Sequence, residues 1–122
     1  MKKIIVFLVY SVLWPSFALA QTDNSSNFRG AWLYDRYLGY KSGTAKDYLV
    51  YTYYIYGVVQ EEQLAKKRKQ MNSTWCAPDG ALISQYFNII GHYLEVHPEL
   101  RQTNAIALIN DALDEAWPCE RK

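Results

Sequence analysis

Histidine is almost missing from this chain of 122 residues: His92 and His97 are its only two, and cysteine is as scarce, with Cys76 and Cys119 alone. A zinc site made from that set would need all of them gathered around one point. A cysteine nucleophile would need one of the two imidazoles as its base. Charge of one sign is lacking as well, with 13 Lys and Arg against 12 Asp and Glu. A nearly neutral chain has no broad positive field with which to hold nucleic acid. Past residue 20 no run approaches the roughly 20 apolar residues of a membrane span, and there is neither an internal repeat nor a low-complexity tract. These shortages point away from metal, nucleic-acid and membrane chemistry and toward a small soluble domain that packs and binds.

The first residues carry an export pattern. Lys2 and Lys3 precede the apolar run IIVFLVYSVLW, and the stretch ends in Ala18-Leu19-Ala20. A short positive region, an apolar core too short to span a bilayer and small residues before a cut describe a secretory signal. Cleavage is expected after Ala20, which makes the protein periplasmic or secreted and leaves 11 basic residues against 12 acidic ones. No cysteine follows the cut to take a lipid anchor. Residues 21–27 read as a flexible leader, and 28–122 as a single domain with one modest core.

Four segments follow. Phe28, Trp32, Leu33, Tyr37 and Leu38 recur irregularly before Lys41-Ser42-Gly43, which fits either a short amphipathic helix or an irregular aromatic segment. The segment DYLVYTYYIYGVVQEEQLAKKRKQ has β-branched and aromatic residues that favour a strand. It lacks polar alternation, however, and Glu61 and Glu62 stand four to five residues before Lys66 and Lys67, as on a helix face. One long helix over Thr44 to Lys69 is expected, with Gly57 marking a close helix crossing because glycine there costs about 1 kcal/mol against Ala. Asp79 reads as the N-cap of a helix ending near Val96, since Pro98 restricts His97. Thr103 reads as the cap of a last helix that Pro118 stops.

The expected fold is all-α, a small bundle of three to four helices. Its last two helices, about 18 and 15 residues long, are joined by a short turn and so form an antiparallel hairpin. Cys76 lies just before the first and Cys119 just after the second, at the same end. A disulfide there would close the hairpin in an oxidising compartment, a constraint worth on the order of 4 kcal/mol. The histidines fall toward the other end, and their spacing of five turns them roughly 140° apart on a helix. A structural clamp is thus the favoured reading over a catalytic thiol or a zinc site.

Other features read as surface. Lys66, Lys67, Arg68 and Lys69 suit a helix C-terminus, where the dipole favours positive charge, and equally an anionic partner. Asp111, Asp114 and Glu115 oppose the dipole in the last turns of a helix, which makes them candidates for partner contact as well as an ordinary solvated face. Tyr48 to Tyr56 hold five of the tyrosines, a side chain favoured both in cores and at interfaces. Glu61 and Glu62 are adjacent and face different sides of a helix, which rules out a glycosidase pair. No acid, base and nucleophile converge, so no enzyme, metal or cofactor is expected.

The ordered features WCAPDG with Cys76 and Pro78, then Gln85, then HYLEVHPELR with Tyr93, Leu94, His97, Pro98 and Glu99, then Ala112-Leu113, then Trp117-Pro118-Cys119 resemble the Tai/Rap family of type VI secretion immunity proteins. Tyr54-Ile55-Tyr56-Gly57-Val58 resembles that family's Tyr-Ile-x-Gly-Val element. Many members carry a further cysteine three residues before that tyrosine, where this chain has Tyr51, so aromatic packing must tie the long helix to the rest. The resemblance implies a periplasmic, all-helical binding protein without catalysis. It would block a peptidoglycan amidase effector, and a homodimer is a further expectation from the resemblance. A small helical periplasmic stress chaperone is the alternative.

Overall fold

The structure is a computed structural model and describes residues 28–69 and 74–120. The expected signal and leader, residues 70–73 and residues 121–122 lie outside the described residues. Four α-helices follow in order: α1 Gly30–Ser42, α2 Ala45–Lys67, α3 Ile83–Val96 and α4 Ala105–Ala116, with a 3-10 turn Pro98–Leu100 between the last two. No strand occurs among the described residues, and the expected all-α bundle is what forms.

The aromatic segment at 28–43 is the helix of the two readings left open. It stops because Gly43 takes φ 78°, the left-handed region that glycine enters without steric cost. Thr44 N–H then reaches Gly39 O and Gly43 N–H reaches Tyr40 O, so the last carbonyls of α1 are satisfied. This tight turn folds α2 back on α1, where the Arg36 guanidinium pairs with the Asp47 carboxylate. The strand-like composition of α2 is overridden by burial on one side: Tyr51, Ile55 and Val59 are almost wholly inaccessible, and they lie four apart on one helix face.

Two expected caps move. The Pro78–Ala81 segment is a turn, with Ala81 N–H on Pro78 O and Gly80 at φ 78°, so Asp79 cannot open a helix. The helix opens after Leu82, whose N–H donates to Gln85 Oε1 at 2.8 Å, the reach-back half of a capping box. Similarly Thr103 is still in the loop, its carbonyl taken by Gly30 N–H. Asn104 caps α4 instead, its Oδ1 accepting from Ile106 N–H at 2.9 Å and Ala107 N–H at 3.4 Å. Both helices are therefore shorter than expected, at 14 and 12 residues.

The expectation for Gly57 also fails. It is exposed, and nothing lies within 4 Å of where its Cβ would be. The close approach is at Gly91, where the Tyr37 ring sits against the bare backbone of α3 and any Cβ would overlap it. Gly30 is similar, with Leu108 and the Arg101 backbone against it.

The core is built from all four helices: Leu33, Tyr51, Ile55, Ile90, Leu94, Leu108, Ile109 and Leu113 are at most 1% exposed. Aromatic rings fill the space between helices. Tyr37 and Tyr40 of α1 contact Tyr51 of α2 at centroid distances of 5.5 and 5.1 Å, and Tyr51 reaches Phe87 of α3 at 6.1 Å. The buried Tyr51 hydroxyl donates to the Phe87 carbonyl at 2.7 Å, and burial pushes its pKa far above the ordinary tyrosine value. The residue standing where a cysteine is otherwise expected thus ties α2 to α3, through rings and one hydrogen bond.

Candidate functional site

The disulfide fixes the end of the α3–α4 hairpin. Cys76 and Cys119 are bonded across a sequence separation of 43, with Cα atoms 4.8 Å apart. Backbone pairs flank it, Cys76 N–H on Trp117 O at 2.7 Å and Cys119 N–H on Thr74 O at 3.1 Å. Trp75 and Trp117 both pack on Tyr86, at 6.1 and 4.9 Å, and Trp75 Nε1–H donates to Asn110 Oδ1. Both sulfurs are consumed by the bond, so neither is a nucleophile or a thiolate ligand. Among the described residues no three His, Cys, Asp or Glu side chains gather as a metal site, and no helix is long and apolar enough to cross a membrane.

The motif residues divide between scaffold and surface. Leu94, Ala112 and Leu113 are core. Pro78, Gln85 and Pro118 shape the start of α3 and the pairing beside the disulfide, where Trp75 and Pro118 form an isolated bridge. Tyr54 packs with Phe28 and Trp32 at 5.9 and 5.0 Å. His97 ends α3 and stacks on Tyr93 at 4.3 Å, with its Nδ1 3.1 Å from Glu99 Oε1. A backbone hydrogen bond and this imidazole hold the Glu99 carboxyl below its ordinary pKa. Pro98 then starts the 3-10 turn, and Arg101 closes the corner. Its Nε donates to Leu94 O at 2.9 Å while its guanidinium lies over the Tyr34 ring at 3.5 Å.

Three surfaces remain for a partner. The first is a groove of about 190 Å³ between α3 and α4, lined by Ile89, His92, Tyr93, Val96, Ala112 and Glu115 among others. Asp111 and Glu115 stand along α4 beside it, and Glu115 Oε2 lies 3.9 Å from His97 Nε2. Asp111 and Asp114 enter no ion pair among the described residues. Burial, followed by the charges of Asp111, Glu115 and Glu99, raises the pKa of Tyr93.

The second surface is the outer face of α2. Leu49, Tyr53, Tyr56 and Leu64 are 50, 70, 49 and 45% exposed and share one side at helical spacing. Ile83 lines a groove with Tyr53 and Tyr56 beside it. Of the five tyrosines from Tyr48 to Tyr56, only Tyr51 is buried, Tyr54 is half-buried, and Tyr48, Tyr53 and Tyr56 are exposed, a division that composition could not make.

The third surface runs over Glu62. Sequence spacing pairs this residue with Lys66, but the Lys66 ammonium goes to Trp75 O at 3.4 Å and Cys76 Sγ at 3.1 Å. Glu62 is 8% exposed, and its buried Oε2 has no hydrogen-bond partner among the described residues. Only the packing of Trp75 and Cys76 against the end of α2 reveals that, and the sequence carries no signal for it.

The sequence profile of the Rap1a immunity proteins matches residues 29–119. No curated protein and no solved structure matches the chain. The profile spans all four helices, from the residue before α1 to the second cysteine of the clamp, and the chain belongs to the Rap1a immunity proteins.

Proposed function

We propose that this immunity protein works in the periplasm by binding a peptidoglycan amidase effector of type VI secretion and occluding its active-site cleft, without catalysis of its own. The family match over residues 29–119 carries the reading. The export pattern of the first twenty residues supports the compartment, and the disulfide suits an oxidising one. Several exposed surfaces with acidic and aromatic side chains support a protein partner.

Asp111, Asp114 and Glu115 are proposed as contacts on the α3–α4 side. A second copy is a further partner proposed for the apolar face of α2, which has the exposed aromatic character of an interface. The same face is what favours the stress-chaperone alternative, but a chaperone binds many clients and an immunity protein binds one enzyme tightly.

The test expresses the amidase expected from the adjacent reading frame in a periplasm with and without this protein. Protection from lysis and a stable one-to-one pairing of the two chains are expected. Continued lysis with abundant immunity protein and no complex would refute the reading.

A further inference from the structure

We propose that the groove over Glu62 receives an arginine side chain of the effector, a proposal that rests on the effector-binding role above and adds the site and chemistry of one contact. Glu62 lies on α2 where two grooves meet. One, of about 260 Å³, is lined by Gly57, Val58, Glu61, Glu62 and Ile106 of α4. The other is lined by Glu62, Gln63, Lys66, Trp75, Cys76 and Ala77. Glu62 is more than nine-tenths buried, and its Oε2 has no hydrogen-bond partner among the described residues.

A buried carboxylate oxygen without a hydrogen bond is costly, because hydration is lost there and nothing replaces it. Among the described residues no cation pairs with it: Lys66 is turned to Trp75 O and Cys76 Sγ, and the ion pairs are made elsewhere. Glu61 adds a second negative charge at the rim. The surface is thus complementary to a cation.

The shape selects which one. Gly57, Val58 and Ile106 offer an apolar channel leading to the carboxylate, suited to an aliphatic stem with a charged head. A planar guanidinium can pair with carboxylate oxygens in parallel and is less strongly hydrated than an ammonium, so it enters a half-buried site more readily. Gly57 gains a reason here. It lies inside a helix, where glycine costs about 1 kcal/mol against Ala, and no packed neighbour requires it. Its missing side chain keeps the channel open.

The test measures affinity for the amidase of the adjacent reading frame by calorimetry, using wild type, Glu62→Gln and Gly57→Leu. Each substitution is expected to weaken the complex at least about 30-fold, mainly through faster dissociation. Free Glu62→Gln is expected to melt no lower than wild type, since it removes an unpartnered charge. Binding by Glu62→Gln equal to wild type overturns the proposal and leaves the immunity role standing. A clearly lower melting temperature for free Glu62→Gln also overturns it, because the carboxylate would then already have a partner.

Titration with N-acetyl-arginine amide, followed by the Trp75 indole N–H resonance, judges the groove independently. Saturable shifts lost in Glu62→Gln support it, and no saturable shift overturns it. If wild type forms no complex with the amidase while the arginine amide binds at Glu62, the proposed effector fails and the cation site stands.

Discussion

Two glycines inside helices, Gly57 in α2 and Gly91 in α3, look alike in the sequence and should respond oppositely to alanine. In both, alanine gains helix propensity worth about 1 kcal/mol. At Gly57 nothing lies within 4 Å of the added methyl, so the gain should appear almost undiminished. At Gly91 the new Cβ would overlap the Cδ2, Cε2 and Cζ atoms of Tyr37. That ring cannot swing away: it is 7% exposed and held by Tyr34, Tyr40 and Tyr51 at 6.4, 6.2 and 5.5 Å. Overpacking of this kind costs about 1–3 kcal/mol, enough to cancel or exceed the propensity gain.

Urea unfolding followed by tryptophan fluorescence should therefore place Gly57→Ala above wild type by about 0.5–1 kcal/mol and Gly91→Ala below it by up to about 2 kcal/mol. At roughly 4–8 °C per kcal/mol for a domain of this size, the two melting points separate clearly. Tyr37→Leu combined with Gly91→Ala should show favourable coupling, because the smaller side chain relieves the overlap. A Gly91→Ala variant as stable as Gly57→Ala would refute the packing argument, and with it the assignment of Tyr37 as the wedge between α1 and α3.

Replacing both cysteines with serine should cost on the order of 4 kcal/mol from the 43-residue separation, with far-UV circular dichroism unchanged below the melting transition; a loss under about 1 kcal/mol would mean that the flanking backbone pairs already hold the hairpin. Tyr51→Phe removes the hydrogen bond to Phe87 O and should destabilise by about 1–3 kcal/mol, measured by urea unfolding, because a buried carbonyl loses a partner. The same hydroxyl has a pKa raised by burial. The unfolded chain therefore ionises it first, and stability that is full below about pH 10 should fall as pH rises beyond it. In an absorbance titration at least one tyrosine should ionise only together with unfolding. Asp111→Lys with Glu115→Lys should weaken the effector complex while leaving the melting temperature nearly unchanged, since both side chains are exposed; unaltered affinity would remove the acidic edge of α4 from the interface.

Much of the architecture is written in local pattern. The apolar spacing of Tyr86, Phe87, Ile90 and Leu94, and of Leu108, Ile109, Ala112 and Leu113, fixes the buried faces of α3 and α4 without reference to the rest of the chain. Pro98 and Pro118 end those helices because proline constrains the residue before it and supplies no N–H. The position of each cysteine just outside a helix of the hairpin was enough to pair them. Even α2, strand-like in composition, is legible from its missing alternation and its charged helical tail.

What the sequence could not decide depends on which atoms meet across helices. Asp79 and Thr103 are good caps by type, but a turn at Gly80 and a backbone bond from Gly30 to Thr103 displace the helix starts to Leu82 and Asn104. The close crossing expected at Gly57 falls at Gly91 instead, since only the approach of Tyr37 distinguishes a required gap from an open one. Lys66 stands one turn from Glu62 and yet leaves it for the Trp75 carbonyl, because the disulfide brings that strand of chain against the end of α2. Local periodicity and chain punctuation thus set the helices and the clamp from sequence alone. The tertiary structure decided which aromatics are core, which glycine is wedged and which carboxylate is left without a partner, because these follow from distances between residues far apart in the chain.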